Sequence, residues 1–548
     1  MKLFKRTAGI LLAMVMMVLF TTTAFAEVDV TNRVYEAYQI FAGTQENTDI
    51  LCDVKWGTNM LTNADKFLEA LKKDDLYKDC KTAEDVAKVI AAFANDDAKL
   101  REFAKLADQF KTGTGTNLGT YLGTNGADLE AKLGAGYYLV VDLSATAGAV
   151  DTAKNLSLLQ MTKNGEFEIK VKTDIPKVEK KVKEETFTAA NQVGNITGYP
   201  LETGYNDVAD YDIGDDVPFM LIGTMPTTLA DYATYKYIFH DTLSVGLTYN
   251  DDVKVYFDDN KDNNCDTKVE IKKDDTVGYS VSYVDDKLTI SFVDVKSIVD
   301  INDNKLDVDK DSTIIVKYTA DLNKFADIGL DGNPNEVYLE YSNNPNYEGE
   351  GKPSQDTGNT EEDKVIVFTY ELDVTKVDSA NIANALPNAV FKLMKGDKYY
   401  CLMENDSVRW VAEEGKATEL RSDVDGMFKV VGLDDGDYTL IEVAAPAGYN
   451  AIDPISFTVD ATTSNGQEWN NFVPKDALTK LSITVGDENA ASENGDANSG
   501  IVSMIVKNSL GTILPETGGI GTVAIYTIGS LLVIVAVVLL VTKKRMSK

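Results

Sequence analysis

Three polar residues in the C-terminal third of the sequence lie on strand faces that are otherwise apolar. Lys376 alternates with apolar residues in one strand-like segment, and Glu442 does so in a second segment. Asn508 closes the inward apolar run of a third segment, residues 502–508. Because a buried charge is costly unless it is paired or neutralised, these residues are candidates for chemistry with one another.

The chemistry that suits such a set is the formation of an amide bond between the two side chains. Desolvation lowers the pKa of a lysine, and the resulting neutral amine is a nucleophile. Burial also favours a protonated acid, which polarises the amide carbonyl and passes protons as ammonia leaves. Apolar walls hold the groups at attack distance. The three residues are therefore candidates for one Lys376–Asn508 bond with Glu442 as catalytic acid, and an ordinary salt bridge between Lys376 and Glu442 is the alternative.

A second set of the same residue types occurs in the strand-rich region from Ile175 to about Thr369. Each member alternates with apolar residues, which places it on the face that a strand buries. The candidates are Lys180 as the lysine, with Lys181 as the alternative; Asp215 as the acid; and Asn343 as the amide, with Asn335 as the alternative. Asn343 is preferred because it closes its apolar run, as Asn508 does.

The N-terminal region, residues 27–173, mixes helix and strand patterns. Thr82 is placed as an N-cap before apolar residues at helical spacing, with Asp85 three residues further on. A second helix is predicted over residues 98–110 and a buried strand over residues 136–142.

Composition excludes several functional classes. The chain has 548 residues and a net charge of −34, so a nucleic-acid partner is not expected. Its one histidine, His240, excludes any site that needs several histidines. Four cysteines are too few for a disulfide scaffold. Cys52 and Cys80 could pair if the chain is exported.

Both ends of the sequence carry targeting patterns. A basic start, a short apolar run and an Ala-x-Ala ending predict a signal peptide, residues 1–26, that is cut after Ala26. Residues 513–548 contain a Leu-Pro-x-Thr-Gly pentapeptide, an apolar stretch predicted as a membrane helix at 520–541, and a basic tail. The pentapeptide consists of Leu514, Pro515, Glu516, Thr517 and Gly518.

These motifs together resemble Gram-positive pilins that a sortase assembles. The C-terminal order resembles a cell-wall sorting signal, which implies cleavage after Thr517 and transfer of its acyl group to peptidoglycan or to a neighbouring subunit. Residues 370–512 resemble an isopeptide-forming Cna B-type domain, and residues 174–369 resemble the related A-type domain. The resemblance implies a mainly β fold, with tandem Ig-like β-sandwiches after an α+β N-terminal domain.

If the chain is a pilus shaft subunit, an exposed lysine must accept the neighbouring subunit. Pilins usually carry this lysine in a Tyr-Pro-Lys context near the end of the N-terminal domain. The nearest match is Ile175-Pro176-Lys177, and Lys172, on an alternating segment with its lysines outward, is a rival. A basic edge strand that discourages aggregation explains the same lysines.

The sequence thus predicts a structural subunit of a covalently polymerised pilus on the outer cell surface, with a monomeric wall-anchored adhesin as the alternative. The expected partners are a sortase, neighbouring subunits, peptidoglycan and a host ligand. No cofactor, no metal and no turnover enzyme activity are expected. The acidic stretches at 258–264 and 300–304 lack the glycine and glutamate of an EF-hand, so they are interpreted as solvated turns.

Overall fold

The structure is a computed structural model. It describes residues 34–546 except 46–49, 94–96, 120–131, 144–148, 151–152, 154–155, 162–174, 185–196, 261–267, 346–355, 405–406, 463–468, 470–471 and 512–519. The predicted signal peptide with Ala26, the lysine Lys172 and the pentapeptide from Leu514 to Gly518 lie outside the described residues.

The first part of the chain combines one antiparallel sheet with three helices. Its elements are β1 (Tyr35–Gln45), β2 (Leu51–Trp56), α1 (Ala64–Leu71), α2 (Ala83–Ala91), α3 (Asp97–Phe110), β3 (Thr116–Gly119), β4 (Gly136–Asp142), β5 (Ala149–Val150) and β6 (Leu156–Met161). The sheet order is β2-β1-β4-β6, with β3 paired to β1. All of β4 is buried, which confirms the predicted buried strand.

The start of α2 has the cap that its sequence predicts. Thr82 Oγ1 accepts a hydrogen bond from Asp85 N at 3.2 Å, and Asp85 Oδ2 accepts one from Thr82 N at 3.0 Å. This reciprocal capping box satisfies backbone donors that the first turn cannot pair. The helix then buries Val86 and Ile90 in the same core as the apolar side chains of β1 and β4. The second predicted helix is also confirmed, as α3.

Two sheets form the middle part of the chain. The first has the order β14-β13-β17-β10-β7-β8, with β12 on β17. The second has the order β15-β16-β11-β18-β19-β5, with β20 on β18 and β9 on β20. The strands are β7 (Val178–Lys183), β8 (Tyr205–Asn206), β9 (Val208–Asp210), β10 (Asp216–Thr224), β11 (Tyr237–Leu243), β12 (Leu247–Tyr249), β13 (Lys254–Asp258), β14 (Val269–Glu270), β15 (Ser280–Val284), β16 (Lys287–Phe292), β17 (Thr313–Leu322), β18 (Asn333–Ser342), β19 (Thr357–Asn359) and β20 (Asp363–Phe368). The short β5 pairs in parallel with β19, so one strand of the N-terminal part joins this sheet.

Two further sheets form the last part. Their orders are β22-β21-β32-β31, with β27 on β21, and β25-β24-β23-β28-β29-β30, with β26 on β23. The strands are β21 (Tyr370–Asp378), β22 (Asn381–Ala385), β23 (Val390–Lys395), β24 (Lys398–Leu402), β25 (Val408–Val411), β26 (Leu420–Arg421), β27 (Met427–Leu433), β28 (Gly436–Ala444), β29 (Ile455–Thr462), β30 (Lys480–Val485), β31 (Ala490–Asp496) and β32 (Ile501–Asn508). The first strand, β21, runs parallel to the last strand, β32.

The middle and last parts share a continuous apolar core. At their junction Ile213 N donates to Gly432 O at 3.1 Å. Gly432 has a φ of 76°, and a Cβ at this position would come within 2.7 Å of the Ile213 side chain. Glycine is therefore required here both for its backbone conformation and for close packing. The two parts meet through backbone contact rather than through a solvated linker.

Two further helices complete the described chain, one of 4 residues and one of 27 residues. They are α4 (Pro474–Ala477) and α5 (Ile520–Met546). Counting only residues that the structure describes, no helix has the length and hydropathy that crossing a membrane requires.

Candidate functional site

The last part of the chain brings Lys376, Glu442 and Asn508 together as the sequence predicts. Lys376 lies on β21, and Asn508 ends the neighbouring β32, where its Cα is paired with Asp378. Lys376 and Asn508 are therefore two positions apart on adjacent parallel strands, with their side chains on one face. Glu442 lies on β28, in the sheet that packs against this face. The three side chains meet between the two sheets.

The contacts within this site are direct. The Lys376 amine donates to Asn508 Oδ1, and Lys376 Nζ lies 3.7 Å from Glu442 Oε1. Asn508 Nδ2 donates to both oxygens of the Glu442 carboxylate, at 2.9 and 3.0 Å. Two backbone groups complete the contacts of the acid and the amide. Ile452 N donates to Glu442 Oε2, and Asn450 O accepts from Asn508 Nδ2, each at 3.0 Å. The amide is thus held between the amine and the acid.

Burial sets the electrostatics of this amine. The side chains of Lys376 and Glu442 are both fully buried, and the amine lies 5.7 Å from the centre of the Phe391 ring. Desolvation lowers the pKa of Lys376 to about 8, although the nearby Glu442 opposes this shift. A substantial fraction of the amine is consequently neutral near physiological pH, as nucleophilic attack requires.

The middle part contains a second buried site around Lys180. Its amine contacts Asp241 Oδ2 on β11, and it donates to the Tyr318 hydroxyl on β17 at 2.9 Å. The aromatic rings of Phe219 and Tyr318 lie over the amine, at 5.2 and 5.3 Å. Desolvation lowers the pKa of Lys180 and raises that of Asp241. Both shifts favour the neutral forms, which are an amine that can act as a nucleophile and an acid that can donate a proton.

The amide of this second site is Asn335. Asn335 Nδ2 donates to the Tyr318 hydroxyl at 2.8 Å, and that hydroxyl donates to Asp241 Oδ2 at 3.0 Å. Asn335 and Asp241 share a face of the same sheet, because Leu243 pairs with Asn335 and Asp241 with Val337. Asn335 Oδ1 is buried and has no partner within the described part of the chain. Tyr318 therefore joins the lysine, the acid and the amide.

The geometry of this second site differs from the prediction at two residues, Asp215 and Asn343. On β10, Leu221 pairs with Lys180, and Asp215 precedes Leu221 by six residues, or roughly 20 Å of strand. Asn343 lies eight residues beyond Asn335 on the same chain segment, or roughly 26 Å. Neither residue is therefore positioned to react with Lys180. Asn343 is instead buried near the end of β18, where its backbone N donates to Asp356 O at 3.2 Å.

Of the two candidate lysines on β7, Lys180 rather than Lys181 lies at this second site, as the alternation of side chains along a strand predicts. Lys181 points to the opposite face of β7 from Lys180, where it forms ion pairs with Glu179 at 2.9 Å and Asp207 at 2.6 Å. These two carboxylates raise its pKa even though burial acts in the other direction. A charged amine is not a nucleophile, so Lys181 does not have the environment that bond formation needs.

The sequence contains a pattern that points to Asp241 as a buried polar residue. Tyr237, Phe239, Asp241 and Leu243 alternate on one buried face of β11, which is the same pattern that identified Glu442. Sequence reasoning noticed only His240 in this segment. His240 lies on the other face, where Nε2 is 2.9 Å from Glu340 and the ring stacks on Tyr338, and this placement agrees with a structural role.

Two other predicted features can be located. Lys177 immediately precedes β7 and is half-buried; its backbone N donates to Thr224 Oγ1, and its carbonyl accepts from Thr224 N, both at 2.9 Å. Cys52 and Cys80, which could pair in an exported chain, are free thiols in the structure. Cys52 lies on edge strand β2, whereas Cys80 packs in the apolar core beneath the helices.

Comparison with known proteins identifies related surface proteins. The chain is 24% identical over 381 residues to the trypsin-resistant surface T6 protein of Streptococcus pyogenes serotype M6. The alignment covers 66% of this chain and 62% of that protein, so the chain spans less than two thirds of its relative.

Two solved pilin structures match this chain at low sequence identity. The T6 backbone pilin of serotype M6 Streptococcus pyogenes is 18% identical, with a TM-score of 0.48 and coverage of 88% of this chain and 97% of that one. The major pilin SpaD of Corynebacterium diphtheriae is 17% identical, with a TM-score of 0.42 and coverage of 90% and 94%. Scores below 0.5 do not establish a shared overall arrangement. The family match is local: residues 370–471, which carry Lys376 and Glu442, match the SpaA prealbumin-like fold domain.

Proposed function

We propose that this protein is the structural shaft subunit of a covalently polymerised, cell-wall-anchored pilus, stabilised by two internal Lys–Asn isopeptide bonds. The observation that carries the proposal is the buried contact of Lys376 with Asn508, with Glu442 bound to the same amide. Similarity to the T6 surface protein of a Gram-positive bacterium supports the same conclusion. Its expected location is outside the cell, on the wall.

In the proposed reaction, the lone pair of the neutral Lys376 amine attacks Cγ of Asn508. Glu442 donates a proton to the amide and accepts one from the attacking amine. The Cγ–Nδ2 bond breaks, ammonia leaves, and a secondary amide joins the two side chains. The reaction balances because one amine and one primary amide give one secondary amide and one molecule of ammonia. In the middle part the same roles belong to Lys180, Asn335 and Asp241.

The position of the bond explains its mechanical use. β21 and β32 are the first and last strands of their domain, and Lys376 and Asn508 are 132 residues apart in sequence. A bond between them lets tension pass through adjacent covalently joined strands, so the 132-residue segment between the crosslinked residues carries little load. A fibre built from such domains resists extension without relying on hydrogen bonds alone.

Assembly is proposed to use the C-terminal sorting signal. A sortase would cleave between Thr517 and Gly518, with the apolar residues 520–541 and the basic tail released from the product. The acceptor would be Lys177 or Lys172 of the next subunit, or peptidoglycan for the last one. The accompanying proposal for organisation is a signal peptide at 1–26, domains at 27–173, 174–369 and 370–512, and the sorting signal at 513–548.

Two measurements test these proposals separately. The intact mass of the protein should be low by about 17 Da per bond because each bond releases one ammonia, so two bonds give about 34 Da. Boiled denaturing gels of cell-wall extract should show a ladder of covalent oligomers that disappears in Lys177→Ala or in Lys172→Ala. A single band in the unmutated strain would refute polymerisation and favour the monomeric adhesin, whereas a full intact mass would refute the internal bonds.

A further inference from the structure

A group of carboxylates lies where the middle and last domains meet. Asp210 ends β9 in the middle domain, and Asp434 and Asp435 form the turn between β27 and β28 in the last domain. One carboxylate oxygen from each residue lies within 4.8 Å of the others. We call these three residues the junction carboxylates. Two domains therefore contribute to one acidic cluster.

The charge around the junction carboxylates is not balanced. Asp434 and Asp212 share the ammonium of Lys395, at 2.9 and 2.8 Å. Glu184 adds a further acid, since its Oε2 accepts a hydrogen bond from Asp210 N at 3.1 Å. Among the residues that the structure describes, no lysine or arginine forms an ion pair with Asp210 or Asp435. Five carboxylates thus lie at this junction with one ammonium group that pairs with two of them, and such an excess of negative charge is unfavourable at low dielectric.

Asp210 supplies a second and independent observation. Its side chain is 8% exposed, and its Oδ2 has no hydrogen-bond partner in the described part of the molecule. Buried carboxylate oxygens are ordinarily paired, because an unpaired one loses its hydration without compensation. The Asp210 carboxylate lies beside those of Asp434 and Asp435, and its neighbour on the other side is the Tyr370 hydroxyl. Burial and the neighbouring acids raise the pKa of Asp210 well above its usual value, which reflects the same excess of negative charge.

We propose that the junction carboxylates bind a divalent hard cation, with Ca²⁺ as the preferred ion. Carboxylate oxygens without a histidine or thiolate suit Ca²⁺ rather than a softer metal. Ca²⁺ also accepts irregular geometry and can complete its shell with water. Asp434 and Asp435 are only half-buried, so that side of the cluster admits both water and the ion. This inference does not depend on the proposed function.

The consequence of such a site is a clamp between domains. The cation would be held by Asp210 from one domain and by Asp434 and Asp435 from the other, beside the backbone bond from Ile213 to Gly432. Its binding energy would oppose bending or separation at this junction. The internal amide bonds stiffen each domain, whereas this ion would stiffen the connection between them.

The test compares melting temperatures of the full-length protein in chelator, in CaCl₂ and in MgCl₂. Ca²⁺ should raise the melting temperature of the unmutated protein, with Mg²⁺ having a smaller effect. Asp210→Asn and Asp435→Asn should lose most of this increase and should melt above the unmutated protein in chelator, because each removes one unbalanced charge. Equilibrium dialysis with Ca²⁺ alone should show one ion per chain, with affinity reduced roughly tenfold or more in each variant.

Asp300→Asn is the matched control because it changes another acidic cluster. Asp300 Oδ1 accepts hydrogen bonds from Asn302 N and Asn304 N at 2.8 Å, and asparagine can do the same. This variant should keep the full response to Ca²⁺. The proposal is overturned if Ca²⁺ has no effect, if Asp435→Asn retains the response, or if Asp300→Asn abolishes it. Asp435 is half-buried, so its variant remains informative even where Asp210→Asn fails to fold. Intact mass reports separately on the amide bonds.

Discussion

The two buried lysine sites each bring an amine, an acid and an amide together, with acids of different length. In the last domain the longer Glu442 reaches the Asn508 amide directly, with contacts of 2.9 and 3.0 Å. In the middle domain the shorter Asp241 contacts Lys180, and the Tyr318 hydroxyl connects both of them to Asn335. The comparison suggests that a one-carbon shorter acid is accommodated by an added hydroxyl group.

The strand arrangement differs in a corresponding way. Lys376 and Asn508 lie on adjacent strands of one sheet, and the acid comes from the opposite sheet. In the middle domain the acid and the amide share a sheet, and the lysine comes from the other. The acid therefore faces the amide across the core in one site and beside it in the other. Because the arrangements differ, the two sites are tested by changing different residues.

The largest effect is expected from Glu442→Gln, which keeps the shape of the side chain but removes the acid. The Lys376–Asn508 bond should not form, and the mass deficit relative to the variant's own sequence should shrink by about 17 Da. Loss of a crosslink that closes 132 residues should reduce the free energy of unfolding by about 5 kcal/mol in a chain-entropy estimate. Mass spectrometry and chemical denaturation measure the two outcomes.

The control for this variant is the middle domain of the same protein. Its bond should remain, so the total mass deficit should fall from about 34 to about 17 Da rather than to zero. Retention of the full deficit would show that Glu442 is not the catalytic acid of the last domain.

A comparable loss is expected from Asp241→Asn, with Asp215→Asn as the matched control. The Lys180–Asn335 bond spans 335 − 180 = 155 residues, which corresponds to about 5 kcal/mol by the same estimate. Peptide mapping should find the bond in Asp215→Asn and not in Asp241→Asn. The reverse result would restore the sequence-based assignment of Asp215.

The sequence pattern selected all three residues that meet in the last part of the chain, but only some of those that meet in the middle part, for a physical reason. Alternation determines which face of a strand a residue occupies, so it correctly distinguished Lys180 from Lys181. It does not determine which strands are neighbours, and the pairing of β11 with β18 is what joins Asp241 to Asn335. In the last domain each of the three strands offered one residue of the required type, a lysine, a glutamate or an asparagine, so the assignment did not depend on knowing which strands pair.

The same limit applies to the fold and to the junction carboxylates. The capping box at Thr82 and the buried strand β4 depend on local sequence, and both were predictable. Asp210 and Asp434 are more than two hundred residues apart, and only the packing of two domains brings their carboxylates together. Features that depend on long-range packing were accessible only from the structure.

An effect of intermediate size is expected in the pH dependence of Asn508→Ala, which leaves the Lys376 amine unbonded. The pKa of this amine is about 8 in the folded protein and 10.5 when unperturbed. Between these values the unfolded chain binds more protons than the folded one, so stability should rise with pH. The gain should be roughly 1–3 kcal/mol between pH 8 and 10.5.

Urea unfolding of this variant and of the unmutated protein at pH 7.5, 9 and 10 isolates the effect. The unmutated protein is the reference because an amide nitrogen does not titrate in this range, while all other lysines are shared. Parallel curves for the two proteins would mean that Lys376 is not held in a desolvated environment.

The smallest effect is expected from Tyr318→Phe, which addresses the difference between the two sites directly. The variant keeps the aromatic ring over Lys180 and removes the hydroxyl that orients Asp241 and Asn335. The middle bond should still form, but roughly 10- to 100-fold more slowly, as expected for the loss of about 1–3 kcal/mol of hydrogen bonding. Intact mass measured at intervals after synthesis should show slow loss of one ammonia from the middle domain. The last domain should react at its normal rate, because its acid contacts the amide directly. An unchanged rate in the middle domain would mean that Asp241 suffices without the tyrosine, and the two sites would then differ in geometry but not in mechanism.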